Sequence, residues 1–117
     1  MNRGSAEESA ALSFLEGRGL VLLERNYRCR TGEIDLIMKE KDTIVFVEVR
    51  KRSKADFGSA AESITRKKQK RILKAARHYL SGLDSEPDCR FDAVLYGEKG
   101  EPEWIRNAFD DQDGRFR

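Results

Sequence analysis

The chain has 117 residues, of which 38% are hydrophobic and 38% charged, a length that fits one domain with a single core and is too short for two ordinary domains. No stretch approaches the roughly 20 apolar residues of a membrane-spanning helix, and the first residues lack the apolar segment of a signal peptide. Cys29 and Cys89 have no CxxC spacing, which favours two reduced thiols over a zinc site or a disulfide. The sequence therefore predicts one cytoplasmic domain over residues 1–109 and a disordered tail over residues 110–117.

Charge is unevenly distributed along the chain, although the formal net charge is only +2. Residues 50–77 hold eleven Lys/Arg and two acids, a local charge of +9, whereas the rest holds 12 basic and 19 acidic residues, a charge of −7. A solvated surface without a partner usually intermixes the two signs. The asymmetry therefore predicts that one face meets a polyanionic partner such as nucleic acid.

The first half of the chain predicts one helix and three strands. Apolar residues at helical spacing predict a helix over residues 6–15, which begins near Ser5 and stops at Gly17. A short apolar run at residues 20–23 predicts a first or edge strand. Two strongly patterned strands follow over residues 32–38 and 43–50, and the charged turn between them predicts a hairpin.

The second half begins with a basic loop over residues 51–58 and a capping box at residues 59–62 that opens a helical turn. A long helix is predicted over residues 65–80, a buried strand over residues 90–96 and an edge strand over residues 104–109. Together these elements predict an α/β fold in which α-helices flank a central mixed β-sheet.

The hairpin pattern also predicts its register, because burial of one face requires apolar residues to lie opposite apolar residues. The register that meets this condition pairs Ile34 with Val49, Leu36 with Val47, and Met38 with Val45. The other face then pairs Glu33 with Arg50, Asp35 with Glu48, and Ile37 with Phe46.

Two carboxylates lie opposite each other in this register, at Asp35 and Glu48. With Cβ atoms about 5 Å apart they destabilise a sheet unless a positive charge lies between them. Carboxylate oxygens suit Mg²⁺ or Mn²⁺, and such an ion can promote phosphodiester hydrolysis by activating water and neutralising charge on the phosphate. The alternative is a surface hairpin in which Glu33–Arg50 and Glu48–Arg52 ion pairs cancel the repulsion.

The long helix is strongly basic, with seven Lys/Arg and no acid over residues 65–80. Like charges four residues apart repel each other, so an external counter-charge is expected, and phosphates would make binding steeply salt-dependent. The residues predicted to contact nucleic acid are Arg52, Lys67, Lys68, Lys70, Arg71 and Lys74. The alternative is a solvated face whose long side chains cover the edge of the core.

The hairpin residues 32–37 and 45–50 resemble the motifs of the YraN-like bacterial family, which is assigned to the restriction-endonuclease-like fold with the PD-(D/E)xK signature. Further matching positions lie before and after the hairpin and cover nearly the whole chain: Gly4, Glu8, residues 26–28, Gly58, Lys68, residues 90–92 and residues 107–109. The resemblance implies a restriction-endonuclease-like domain and a metal-dependent nuclease, with DNA favoured over RNA as its partner.

The resemblance also implies roles for individual residues. Asp35 and Glu48 would bind the metal, and Glu8 would supplement them, unless it is only a first-turn acid favoured by the helix dipole. Arg50 stands where the signature has lysine; because arginine stays protonated and cannot act as a base, Arg50 would stabilise charge on the phosphate. By the hairpin register, which places Glu33 on the same face, Glu33 would either support the metal ligands or pair with Arg50. Lys68 matches a lysine of the family motif and is expected near the metal site.

Two other functions stay open. A non-catalytic nucleic-acid-binding module could keep the fold and the basic helix, and Arg50 in place of lysine favours this alternative. A protein-interaction adaptor could instead use the basic face to bind an acidic partner.

Overall fold

The computed structural model describes residues 5–52 and 64–110. These residues form two helices and five strands: α1 (Ala6–Glu16), β1 (Val21–Cys29), β2 (Gly32–Glu40), β3 (Thr43–Lys51), α2 (Arg66–Ser81), β4 (Cys89–Tyr96) and β5 (Pro102–Phe109). The predicted helical turn at residues 59–62, most of the predicted basic loop and the predicted tail beyond residue 110 lie outside the described residues.

The five strands form one mixed sheet in the order β1-β2-β3-β4-β5. β3 and β4 are parallel, and the other neighbouring pairs are antiparallel. Parallel neighbours need a crossover connection, and the segment that contains α2 supplies it. The predicted α/β class with a mixed sheet is confirmed, and it is compatible with a restriction-endonuclease-like fold.

Both helices begin at a capping side chain. Ser5 Oγ accepts a hydrogen bond from the Glu8 N–H at 3.1 Å, and Thr65 Oγ1 accepts one from the Lys68 N–H at 3.1 Å. Each bond satisfies an N–H group that has no partner within its own helix. Neither helix in the described part of the chain is long and apolar enough to cross a membrane.

The core is divided between the two faces of the sheet. On one face, Ile72 and Ala76 of α2 pack against Ile37 and Phe46, in what we call the α2-side cluster. On the other face, Leu15 of α1 packs with side chains of β2, β3 and β4, in what we call the α1-side cluster; its members include Leu36, Met38, Val45, Val47 and Val94. The helices therefore cover opposite faces, as the alternating pattern of β2 and β3 requires.

The predicted β2–β3 register is confirmed over most of the hairpin, where Leu36 lies opposite Val47 and Met38 opposite Val45. The prediction that Ile34 shares a face with Val49 is wrong, because Ile34 belongs to the α2-side cluster while Val49 packs against the α1-side cluster. Regular pairing ends at Leu36.

The local reason for this irregularity lies at Asp35. Its carboxylate Oδ2 accepts a hydrogen bond from the Val49 backbone N–H at 2.8 Å. Where regular pairing stops, a side-chain oxygen is therefore the acceptor for this backbone N–H. On the opposite side of β2, Asn26 lies between the pairs Arg25–Leu36 and Tyr27–Ile34 and has a φ of 55°. Asparagine tolerates this left-handed conformation better than most residues. Asp35 therefore lies between two local distortions of the sheet.

A second buried carboxylate, Asp92, fastens β5 to β4. Asp92 is fully buried and accepts hydrogen bonds from Arg90 Nε, Trp104 Nε1 and the Asn107 N–H, each at 3.0 Å. Asn107 has a φ of 54°, near a break in the β4–β5 register. A buried carboxylate surrounded by donors in this way is well satisfied, which indicates a structural role.

We expect Asp92→Ala to lower the free energy of unfolding by about 3–5 kcal/mol, because it removes one member of a buried ionic network and leaves its donors without an acceptor. Urea unfolding measures the change. Asp110→Ala is the matched control, since Asp110 is exposed and its loss should change stability by less than about 0.5 kcal/mol. Equal midpoints for the two variants would contradict the structural role.

Candidate acidic site

Asp35 of β2 and Glu48 of β3 form the acidic pair at the centre of the candidate site. Glu48 is buried, with 6% of its surface exposed, and Asp35 is half-buried. The two side chains share a hydrogen bond. The expected adjacency of the two carboxylates on the hairpin is therefore present.

Burial and mutual repulsion control the ionisation of the acidic pair. Burial, with the charge of Asp35 added, raises the pKa of Glu48 to about 8, against an opposing effect of Lys68. Burial also raises the pKa of Asp35, while its hydrogen bonds with the Val49 N–H and with Glu48 oppose that rise. The shared hydrogen bond raises the pKa of Glu48 and lowers that of Asp35, so the two carboxyl groups hold one proton between them.

Lys68 supplies the positive charge nearest to the acidic pair. Its Nζ lies 3.1 Å from Glu48 Oε2, and the side chain is 34% exposed. Burial by itself lowers the pKa of Lys68, but the nearby Glu48, together with Asp35 and Glu33, raises the pKa by more, so the net shift is upward. Lys68 is thus a protonated cation at neutral pH.

Gly32 is what allows α2 to approach the acidic pair so closely. A Cβ at Gly32 would lie 1.9 Å from the Arg71 carbonyl oxygen of α2, far inside van der Waals contact. Any side chain there would push the helix away from the start of β2. The glycine that precedes the acidic motif therefore helps to set the distance between Lys68 and the pair.

Glu8 of α1 lies close enough to Asp35 for the two charges to interact. Burial and the Asp35 charge raise the pKa of Glu8, and its hydrogen bonds with Arg25 and Asn26 oppose this. Its direct ion pair is with Arg25, whose Nε lies 3.4 Å from Glu8 Oε1. Glu33 also has an arginine partner, since its Oε1 accepts a hydrogen bond from Arg28 Nε at 3.2 Å. The charge of Glu33 raises the pKa of both Asp35 and Lys68.

The predicted three-carboxylate metal site is not assembled as such. Within residues 5–52 and 64–110, no three His, Cys, Asp or Glu side chains are grouped closely enough to hold an ion; Glu8 is turned into its pair with Arg25. Two carboxylates still fit Mg²⁺ or Mn²⁺, because these ions keep several waters and are commonly held by one or two carboxylates together with phosphate oxygens. The donor set of Asp35 and Glu48 fits such an ion.

The Glu48–Arg52 ion pair of the surface-hairpin alternative is not the one observed. Glu48 is buried and pairs with Lys68, whereas Arg52 pairs with Glu103 of β5, with Arg52 Nη1 at 3.4 Å from Glu103 Oε1. Arg50 is half-buried in β3, two residues beyond Glu48. The acidic pair is thus a buried feature and not a cancelled surface charge.

The basic residues of α2 divide into two groups. Four of those predicted to contact nucleic acid are exposed: Lys67, Lys70, Arg71 and Lys74. Lys68 alone of the predicted set on α2 is half-buried and lies against the acidic pair. An exposed basic face therefore lies on the same helix that supplies a cation to the carboxylates.

Sequence reasoning missed the parts of the site contributed by β1. Arg25 and Asn26 form hydrogen bonds with Glu8, and the Tyr27 hydroxyl shares a hydrogen bond with Nδ1 of His78 on α2. In the sequence these residues form a polar stretch at residues 25–28, and residues 26–28 match the family motifs. Nothing in that stretch identified its partners.

Comparison with known proteins places the site in a family context. The model of the uncharacterised protein family UPF0102 matches residues 7–96, which include every residue of the site. A UPF0102 protein of Nitrosomonas europaea is 59% identical over 112 residues, covering 94% of this chain and 95% of the relative. A UPF0102 protein of Nitrosospira multiformis is 58% identical, covering 92% of this chain and 92% of the relative. One of Psychromonas ingrahamii is 50% identical, covering 92% of this chain and 89% of the relative.

We expect the Glu48 carboxyl to titrate near pH 8, and Asp35→Asn to bring its pKa down because the substitution removes the neighbouring negative charge. Carboxyl ¹³C NMR measures both values. Glu40 is the internal control, since hydrogen bonds from Arg106 and Arg90 lower its pKa to about 2 and it should not respond to Asp35→Asn. An unchanged Glu48 titration in the variant would contradict the coupling of the two acids.

Proposed function

The chain belongs to the uncharacterised protein family UPF0102, and from the chemistry of its acidic pair we propose that it is a metal-dependent nuclease that hydrolyses phosphodiester bonds in nucleic acid. The match confirms the family resemblance that the sequence motifs predict. Because the family description carries no activity, the proposal depends on the residues of the site.

The observation that carries the proposal is that the half-buried Asp35 lies beside the buried Glu48. Two adjacent buried carboxylates repel each other, and a fold keeps them only when a cation or a proton offsets the repulsion. Here a lysine ammonium and a shared proton do so. A structural carboxylate would be satisfied as Asp92 is, by three donor groups of the surrounding chain.

In the proposed reaction Asp35 and Glu48 would hold Mg²⁺ or Mn²⁺. When bound, the ion would supply the Lewis acidity that activates water and neutralises charge on the scissile phosphate. The Val49 N–H would fix the orientation of the Asp35 carboxylate through their 2.8 Å hydrogen bond. Glu8 and Glu33, each held by an arginine, would contribute negative charge from nearby without ligating directly.

Arg50 would stabilise the transition state. It lies in β3 two positions beyond Glu48, so its side chain leaves the strand toward the same face. A guanidinium stays protonated and cannot accept a proton from water. Its contribution would therefore be electrostatic stabilisation of the negative charge that develops on phosphate.

The exposed basic residues of α2 would bind the phosphate backbone. Helix α2 carries seven Lys/Arg and no acid, and Lys67, Lys70, Arg71 and Lys74 are exposed along it. Contacts to phosphates position a nucleic acid without reading its sequence. We infer a substrate recognised chiefly by its backbone, with DNA favoured over RNA by the family resemblance.

A non-catalytic nucleic-acid-binding module is the second candidate, and Arg50 in place of the signature lysine is the observation that favours it. Such a protein would keep the basic helix and the acidic pair but lack turnover. The variants below distinguish the two functions.

We expect cleavage of at least one substrate in a screen of branched, duplex and single-stranded DNA and RNA with Mg²⁺ and Mn²⁺. Asp35→Ala should abolish both cleavage and Mn²⁺ binding, because it removes a ligand. Arg50→Ala should lower cleavage by roughly 10²–10³-fold, as for loss of one electrostatic donor to the transition state, and leave Mn²⁺ affinity nearly unchanged.

The conservative variant Arg50→Lys is the control for this series. It should keep much of the activity, because a lysine point charge replaces part of the effect of the guanidinium. Equal inactivity of wild type and Arg50→Ala on every substrate, with nucleic-acid binding preserved, would support the non-catalytic module instead.

We also expect the triple variant Lys67→Glu, Lys70→Glu and Lys74→Glu to lose nucleic-acid binding while it keeps the fold. Wild-type affinity should fall steeply as salt rises, because binding releases counter-ions from the phosphates. Reversal of Lys39, Lys41 and Lys99, which are exposed outside α2, changes the charge equally and should retain most of the binding. A flat salt response would favour a protein-interaction adaptor.

A further inference from the structure

Lys68 occupies a position that differs from that of every other basic residue predicted on the nucleic-acid-binding face of α2. Its Nζ is 3.1 Å from Glu48 Oε2, and the Glu48 side chain is only 7% exposed. Its neighbours Lys67 and Lys70 are exposed. Lys68 is therefore an internal cation of the acidic pair as well as a member of the basic helix.

The start of α2 holds Lys68 in this position. Thr65 Oγ1 accepts the Lys68 backbone N–H, and the buried Gln69 donates from Nε2 to the Ile64 carbonyl oxygen at 2.8 Å. The close approach at Gly32 holds the next turn of the helix against β2. With the backbone fixed at these points, only the flexible end of the Lys68 side chain can move away from the carboxylates.

We propose that Lys68 is the resident counter-ion of Asp35 and Glu48, and that its ammonium must leave Glu48 before a divalent cation can bind there. This inference rests on the proposed metal-dependent function. The ammonium and the divalent cation would both be drawn to the same carboxylates, and their positive charges would repel each other at close range. Lys68 therefore competes with the metal in the absence of nucleic acid.

Nucleic acid would change this balance. A phosphate that approaches α2 offers the displaced ammonium a new negative partner, so Lys68 can move from Glu48 to the phosphate without losing an ionic contact. Nucleic acid and metal would then bind cooperatively, and by thermodynamic linkage each would raise the affinity of the other by the same factor. The free protein would be held in a state of low metal affinity until its substrate is present.

The test is to measure Mn²⁺ affinity by isothermal titration calorimetry for wild type, Lys68→Met and Lys67→Met at neutral pH without nucleic acid. Lys68→Met should bind Mn²⁺ more tightly, on the order of tenfold or more, because the competing charge is gone. Lys67→Met removes the same charge one residue away, where the side chain is exposed, and should match wild type. The titration is then repeated with Ca²⁺ in place of Mn²⁺, with and without a short DNA duplex. The duplex should raise the Ca²⁺ affinity of wild type and should raise that of Lys68→Met much less.

Lys68→Arg keeps the positive charge and should bind Mn²⁺ like wild type, which separates loss of charge from loss of structure if Lys68→Met is less stable. The inference is supported if Lys68→Met is the only variant that binds Mn²⁺ more tightly than wild type and if this binding is lost when Asp35→Ala is added to it. Equal or weaker Mn²⁺ binding by Lys68→Met, while wild type binds through Asp35, overturns it and leaves the proposed function standing. No Mn²⁺ binding by wild type or by Lys68→Met overturns both.

Discussion

Two carboxylates placed side by side in a low-dielectric environment cannot both be ionised without a compensating positive charge. In this protein Asp35 of β2 and Glu48 of β3 lie close enough to share a hydrogen bond, and the surrounding structure provides the compensation. The proton that the two carboxyl groups share, the Lys68 ammonium and the Val49 N–H each stabilise part of the negative charge. α2 contributes to this compensation, because it packs close enough to β2 for Lys68 to reach Glu48.

The contrast with Asp92 explains why the acidic pair is a candidate for chemistry although burial of an acid alone does not indicate a site. Asp92 is surrounded by donors from Arg90, Trp104 and Asn107 that belong to β4 and β5. Its charge is balanced within the fold, and a ligand would have nothing to add. The acidic pair is instead balanced by a flexible lysine and a proton, both of which a divalent cation can replace. An exchangeable counter-charge is what a binding site requires and what a structural network avoids.

Helix α2 connects this site to the charge asymmetry of the whole chain. Its buried side, which includes Ile72 and Ala76, packs on the sheet, while its exposed side concentrates lysine and arginine. The helix lies over β2, where a glycine permits close contact. One element therefore carries the proposed phosphate-binding surface and the cation of the acidic pair, so substrate binding and site electrostatics would be physically coupled.

The sequence by itself determined the α/β class, the bounds of both helices to within about one residue and most of the hairpin register. These features repeat locally: alternation with period two fixes which residues share a face of a strand, and capping residues with a 3.6-residue period fix a helix. The adjacency of Asp35 and Glu48 was predictable for this reason. The same alternation failed at Ile34, because the Asp35 carboxylate bonds to the Val49 N–H and regular pairing ends there.

Only the tertiary structure decided which charged groups meet. By their charge pattern Lys67, Lys68 and Lys70 are equivalent basic residues of one helix, and only the family resemblance pointed to Lys68 as the lysine near the acidic pair. Glu8 was predicted as a ligand, yet Arg25, 17 residues along the chain, takes it as a partner. Ion-pair partners depend on distances between elements remote in sequence, and those distances follow from the packing of α1 and α2 on opposite faces of the sheet. Local periodicity carries no information about such distances, and this is why the pattern predicted the acidic pair but not its counter-ion.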